Sequence, residues 1–358
     1  MEKLNIDRSK LIKYLKDLVS IPSYEDCDEI QKYIMNSLSF IKWEKQYVGK
    51  NQLYNIVNIH SSKPFMVNTH VDTVPPIDMQ NPFEVREEDG VFYGRGTADT
   101  KGLIASLIVA LQMFYEKNPD KEIPVSLAFT VDEEQNTALG SEKLKELLGP
   151  IKYALILEPT YGRICNKQMG AIEFRLDINV QSAHGAEFEK YDNPSKIGCE
   201  SIYKLENHLD RLVNIIKFSS GWEFYAVPKS AEILAEIKVF EGEDAAILEE
   251  KLINYLKEYK NIRYKREDIE DFHFFGEGFA VKVLKEAYMK AIGKEAQMGV
   301  MPSWTDAANI HKAGVECVVF GTSHLDVAHT SREHITIQQM EDMTKILYTL
   351  FSILSHLT

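Results

Sequence analysis

Residues 64–72 read Pro-Phe-Met-Val-Asn-Thr-His-Val-Asp. An apolar run of strand length passes directly into a histidine and, two positions on, an aspartate. The arrangement recurs along the chain. Val125–Val131 (VSLAFTV) opens into Asp132-Glu133-Glu134, and Tyr153–Leu157 (YALIL) into Glu158-Pro159. Val315–Phe320 (VECVVF) leads into a loop carrying His324, Asp326 and His329. Short continuous apolar runs are the pattern of strands buried on both faces. Helical segments lie between them at Leu103–Tyr115 and Ser141–Leu148. A further amphipathic helix is predicted over residues 8–20, where Leu11, Ile12, Leu15, Leu18 and Val19 recur at helical spacing. Strands alternating with helices predict an α/β fold whose central sheet is mostly parallel and covered on both faces. In such sheets ligands bind outside the carboxyl ends of the strands. Here those ends carry acids and histidines, so the runs that set the fold also predict one metal centre.

The middle of the chain follows another rule. Ala171–Val180 (AIEFRLDINV) alternates apolar and polar residues, as a half-exposed strand does. A helical stretch is predicted from Pro194 to about Lys217, then strands near Trp222–Val227 and Ala231–Phe240. A helix over Asp244–Tyr259 and a last strand between Ile262 and Phe275 complete the set. The order β-α-β-β-α-β is that of a ferredoxin-like sheet with helices on one face. The expectation is a discontinuous catalytic domain, residues 1–169 and 277–358, interrupted by an α+β domain over 170–276. A chain of 358 residues is long enough for two cores.

Composition narrows the class. Hydrophobic residues make up 44% and charged residues 27%, an ordinary globular balance. The formal net charge of -13 opposes non-specific binding to nucleic acid or anionic membranes. No apolar run approaches the ~18 residues of a membrane span. The start, MEKLNIDRSK, lacks the apolar stretch of a secretory signal. Cys27, Cys165, Cys199 and Cys317 are scattered and form no Cys-x-x-Cys pair, which argues against a thiolate site or a disulfide framework. A cytoplasmic location is expected, with no nucleic-acid or membrane partner.

The candidate site residues differ in how far spacing alone defines them. His70 and Asp72 stand two apart at a strand end, so both side chains point to one face and one can orient the other. Glu133 and Glu134 are adjacent and point in different directions. One can bind a metal while the other serves as base to a metal-activated water, the division that hydrolysis needs. Gly94-Arg95-Gly96-Thr97-Ala98-Asp99 reads on its own as a glycine-rich turn, with Asp99 or Thr100 capping the next helix. It lacks the Lys-Ser/Thr of a phosphate loop. Spacing leaves His324 and His329 tied. His184, alone after a strand, has no partner in the pattern.

Five ordered motifs carry a resemblance: THVDTVPP (69–76), YGRGTADTKG (93–102), TVDEEQNTALG (130–140), LEPT (157–160) and AHTSREHI (328–335). Together they resemble the acetylornithine deacetylase and succinyl-diaminopimelate desuccinylase family of zinc metallopeptidases. The likeness spans residues 66 to 334. It implies a zinc-peptidase-type catalytic domain and an inserted lid and dimerisation domain, giving a homodimer. It implies two zinc ions, replaceable by cobalt. His70, Asp99, Glu134, Glu158 and His329 would be the ligands, with Asp99 bridging and a cis peptide after it. Thr330 and Glu333 match the family pattern and favour His329 over His324. Asp72 would orient His70, and Glu133 would be the general base. His184, in Ser182-Ala183-His184-Gly185, would stabilise the oxyanion, often from the partner subunit. Three carboxylates and a bridging hydroxide would balance the four positive charges of two zinc ions. The implied reaction is removal of the acyl group from an N-acyl amino acid.

Acetylornithine deacetylase matches best, through Thr97 and the Leu-Ala-Phe-Thr run before the acids. Succinyl-diaminopimelate desuccinylase, a di- or tripeptidase and a carboxypeptidase are the alternatives within the family. An inactive binding protein of this fold is the alternative outside it, and the intact Glu133 and ligand set oppose it. Lys238 stands where the family has an arginine for a substrate carboxylate, and it lacks the bidentate fork. Tyr225 replaces an asparagine. Trp304, in Ser303-Trp304-Thr305-Asp306, brings bulk to the expected pocket. Lys238 and Trp304 are therefore the candidate substrate-binding residues.

Overall fold

Ser126–Thr130, Phe65–His70, Tyr153–Ile156 and Glu316–Val319 lie side by side, in that order, and run parallel. These are the cores of the apolar runs. Phe65–His70 and Ser126–Thr130 are buried at every position, which is why neither alternates in sequence. The computed structural model describes residues 4–49, 53–135, 138–222 and 224–357. Antiparallel strands flank the parallel centre. Tyr54–Asn58 pairs with Ser126–Thr130, and Glu44–Tyr47 lies outside it. Ile164–Gln168 pairs with Glu316–Val319 on the other side.

Gly102–Lys117 is the central helix. Its residues from Gly102 to Leu111 are all buried, and it packs on Arg8–Ser20 and Ile337–Leu354. A helix buried all round needs an apolar sequence all round, which LIASLIVAL supplies. Gly102 admits a close approach: a Cβ there would meet the Thr97 carbonyl oxygen at 2.3 Å. Arg8–Ser20 is capped by Asp7, whose carboxylate accepts from the Ser9 and Lys10 amides, and it buries Leu11, Leu15, Leu18 and Val19. A further helix, Asp28–Ser37, is not anticipated from sequence. Its N-cap, Cys27, makes no side-chain cap bond, so the usual start signal is missing.

The chain divides into two compact units. One comprises Met1–Lys167, Phe274–Met301 and Thr305–Thr358, the other Gln168–His273 and Pro302–Trp304. The second unit has a four-stranded antiparallel sheet in the order Asn214–Ser220, Ser230–Val239, Gly170–Asn179, Ile262–Glu270. The helices Pro194–Leu209 and Ala245–Leu256 complete the ferredoxin-like order. Ile172, Phe174, Leu176 and Ile178 alternate along one strand and cluster with Leu205 and Leu252 of the helices.

Two expectations need correcting here. The first helix ends at Leu209, not near Lys217, because Asp210 turns into the left-handed region with φ 50°. The chain then forms the edge strand Asn214–Ser220. The strand expected over Trp222–Val227 shrinks to Ala226–Val227, paired with Ala183–His184. Ile215, Ile216 and Phe218 read as a continuation of the helical pattern, and only the turn at Asp210 separates the two. No helix among the described residues is long and apolar enough to cross a membrane.

Candidate metal centre

His70 is the last residue of its strand and is 1% exposed. Its Nδ1 lies 3.0 Å from the backbone carbonyl of Asp72. A carbonyl only accepts, so Nδ1 carries a proton and Nε2 is the nitrogen that faces the acids, where a cation could take the place of its proton. Nε2 points at Asp99 Oδ1, 3.1 Å away, and at Glu158 Oε1, 3.6 Å away. The orienting contact expected from the Asp72 carboxylate is longer, 3.7 Å. That carboxylate instead accepts from the Glu134 amide at 2.9 Å. Asp72 thus ties two strand ends together, its carbonyl to His70 and its side chain to Glu134.

His329 closes the cluster from the far end of the sequence. Its Nε2 is 2.9 Å from Glu134 Oε2 and 3.4 Å from Asp99 Oδ2. Its backbone sits at φ 59°, uncommon for a residue with a side chain and a conformation that concentrates at functional sites. His324 goes elsewhere and packs its ring on Tyr161. The tie between the two histidines is thereby broken in geometry. The Asp99–Thr100 peptide is cis. Ligand atoms of His70, Asp99 and Glu134 all lie within 4.8 Å of one another.

The electrostatics are those of a site built around positive charge. Among the described residues, no lysine or arginine pairs with Asp99, Glu134 or Glu158; their ion-pair partners are His70 and His329. Burial pushes the Glu158 carboxyl up to about 8, with Asp99 and Asp306 adding repulsion against the attraction of His70. Burial also raises Glu133 well above its ordinary range, opposed by His70 and reinforced by Glu158 and Glu134. Burial works against ionised Asp99 too, but hydrogen bonds from His329 and His70 hold its carboxyl low. Burial opposes the charge on His329, yet Asp99 and Glu134 lift it to about 10. Glu158 Oε1 is buried with no hydrogen-bond partner. An orphaned carboxylate oxygen among two histidines and two further acids fits a divalent cation with nitrogen and oxygen ligands.

Some groups at the site were not singled out by sequence. Asp306 is 1% exposed, accepts from Thr130 Oγ1 at 2.6 Å and leaves Oδ1 without a partner. Its only signal was its place in the Ser-Trp-Thr-Asp run. Lys101 is buried, donates to the Ile21 carbonyl at 2.7 Å, and is lowered by that burial to about 7. Three expected site residues belong to the second unit. His184 is exposed and its Nδ1 accepts from the Ala186 amide at 3.2 Å. Lys238 pairs with Glu236 at 2.8 Å. Trp304 is half-buried.

This fold and donor set define the class: a metal-dependent hydrolase of amide bonds. The model of the peptidase family M20/M25/M40 matches residues 66–352, and the chain belongs to that family. It is 24% identical to an uncharacterised metallohydrolase of Methanocaldococcus jannaschii, over 97% of this chain and 92% of that protein. It is also 24% identical to a succinyl-diaminopimelate desuccinylase of Shewanella pealeana, over 95% of this chain and 96% of that one. Its fold is similar to that of a tripeptidase of Staphylococcus aureus, with a TM-score of 0.79 and 19% identity, covering 98% of this chain and 99% of the other.

The protonation pattern predicts how the cation-free protein responds to pH. Folded Glu158 keeps its proton up to about pH 8, whereas an ordinary glutamate releases it near 4.5. Folded His329 keeps its proton to about 10 against 6.5. Both bind protons more tightly folded than unfolded, so their contributions to stability fade as pH rises through those windows. Chelated protein should lose melting temperature between about pH 6 and about pH 9, and saturating zinc should flatten the slope. Thermal melts with and without chelator check this. Equal stability of the chelated protein at both ends contradicts it.

Proposed function

We propose that the protein removes the acyl group from an N-acyl amino acid at a pair of zinc ions, with acetylornithine as the substrate that its motifs favour most. The carrying observation is the convergence of His70, Asp99, Glu134, Glu158 and His329 with few competing partners of their own. In this reading His70 and Glu158 would hold one ion, Glu134 and His329 the other, and Asp99 would serve both. Bound zinc or cobalt supplies Lewis acidity that polarises the scissile carbonyl and acidifies the attacking water. Glu133 would take the proton of that water and deliver it to the leaving nitrogen. His184 is the proposed donor to the oxyanion. Its Nδ1 accepts from the Ala186 amide, which leaves Nε2 as the nitrogen to donate.

A second reading is supported by a specific finding. A succinyl-diaminopimelate desuccinylase aligns over almost the whole chain. A succinyl substrate carries an extra carboxylate, for which Lys238 is the proposed cation and Trp304 a proposed wall of the pocket. Lys238 is engaged with Glu236, so an incoming carboxylate would have to displace that pair. The substrate in either case is a small acylated amino acid or short peptide. The described cysteines are all free, which suits a cytoplasmic location.

The ferredoxin-like domain over 170–276 is proposed as a lid that also forms a homodimer. Its two sheet edges differ. Asn214–Ser220 is exposed throughout, with Ile215, Ile216 and Phe218 among its side chains. The opposite edge, Ile262–Glu270, carries Arg263, Lys265, Arg266 and Glu267, the charges that keep an edge unpaired. An apolar edge left open is the one suited to a second copy.

A panel of N-acetyl amino acids, succinyl-diaminopimelate and di- and tripeptides, run with added zinc, tests the reaction. Turnover of at least one acylated amino acid, abolished by chelation, is expected; turnover of peptides alone sinks the deacylase reading. Glu133→Gln should keep both metals and lose at least about 100-fold in kcat; near-normal turnover removes it as the base. Sedimentation should give a dimer that Ile216→Lys converts to monomer, and a wild-type monomer at micromolar concentration rejects the edge-strand interface.

A further inference from the structure

Glu333 lies four positions after His329 and is 1% exposed. Its carboxylate is filled by donors from a single loop. Oε2 accepts from Arg95 Nη1 at 2.5 Å and from the Gly96 amide at 3.0 Å. Oε1 accepts from the amides of Ala98 at 3.0 Å and Asp99 at 3.1 Å. The backbone carbonyl of Glu333 accepts from the Gly94 amide at 3.3 Å. A loop whose amides converge on one point is an anion nest, and here the chain supplies its own anion. The nest depends on Gly96, which has φ 84° and where a Cβ would stand 2.9 Å from Thr73 Cγ2.

The grip ends at the amide of Asp99. From that residue the side chain reaches out, one oxygen 3.1 Å from His70 and the other 3.4 Å from His329. Glu333 therefore shares a short segment with one histidine and holds the backbone of the acid beside it. A buried ion pair by itself is weak support for a role, since such pairs contribute little net stability. Three amide donors from the loop that carries Asp99 are a different observation. They place the loop, and a carboxylate with its four donors has no freedom left.

We propose that Glu333 is a positioning residue for the metal centre: by holding the Gly94–Asp99 loop it sets where Asp99 stands and so how tightly the centre binds divalent cations. Glu333→Gln keeps the shape but turns an amide NH2 group toward the loop's own N–H donors. Metal-free wild type and variant are titrated with zinc against a competing chelator. Zinc binding weaker by about 10- to 100-fold is expected, the usual size of an effect relayed through a ligand's support. At limiting zinc the turnover of the variant falls and excess zinc restores it, with KM unchanged. A residue that only stabilised the fold would lower the melting temperature and leave zinc affinity alone, and that result overturns the proposal. If Glu333→Gln does not fold, Arg95→Lys decides. It keeps the carboxylate but loosens its anchor, so a smaller loss of affinity supports the role and unchanged affinity overturns it. The inference rests on the metal-centre reading. Wild-type protein that binds no zinc sinks that reading, whereas equal binding by both forms sinks only this one.

Discussion

Asp99 faces His70 with one oxygen and His329 with the other, and Glu134 and Glu158 stand within reach of the same histidines. Carboxylates this close cannot all stay ionised in a buried place unless positive charge lies among them. Without cations that charge is borne by histidine protons, which is why His70 and His329 hold theirs so strongly. A bound divalent cation would replace those protons. The catalytic unit has to hold like charges together against their repulsion, and much of its construction serves that end.

The parallel strands do most of this. Four of them lie side by side with their carboxyl ends at one edge, so a strand end delivers His70, and short loops deliver Glu134 and Glu158, to the same region. Their burial stiffens them, and the apolar helix Gly102–Lys117 packs where no water competes. Loops are then tied to one another rather than left to the strands alone. Asp72 links His70 to Glu134, and Ser323 Oγ donates to the Ala98 carbonyl at 2.8 Å. Each tie joins segments distant in sequence, so the cluster's geometry is a property of the tertiary fold.

This explains what could be read from the chain and what could not. Continuous apolar runs and the acids after them are local signals, so the parallel strands and their site-bearing ends were legible. In the ferredoxin-like unit the strand Gly170–Asn179 was legible through its alternation. The break at Asp210 was not, because an aspartate in the left-handed region leaves no mark in the apolar periodicity that continues through Ile215 and Ile216. Asp28–Ser37 lacked a capping side chain. Asp99 looked like a helix cap and His324 equalled His329, since neither spacing nor composition says which loop folds inward. The family resemblance favoured His329 there; in the structure His329 stands beside Glu134 and Asp99, while the His324 ring packs on Tyr161. Asp306 acts through burial and contacts across 176 positions of sequence, which no local pattern encodes.

His329 is the last of the clustered residues to be made. A ribosome building the chain from its amino end releases His70, Asp99, Glu134 and Glu158 first, then the entire second unit, and only afterwards the segment that holds His329 and Glu333. A chain without that segment lacks one of the two histidines of the cluster, and the Gly94–Asp99 loop has no carboxylate to close around. A fragment truncated before His329 would carry most of the motifs but neither the histidine that faces Asp99 and Glu134 nor the carboxylate that the loop's amides hold.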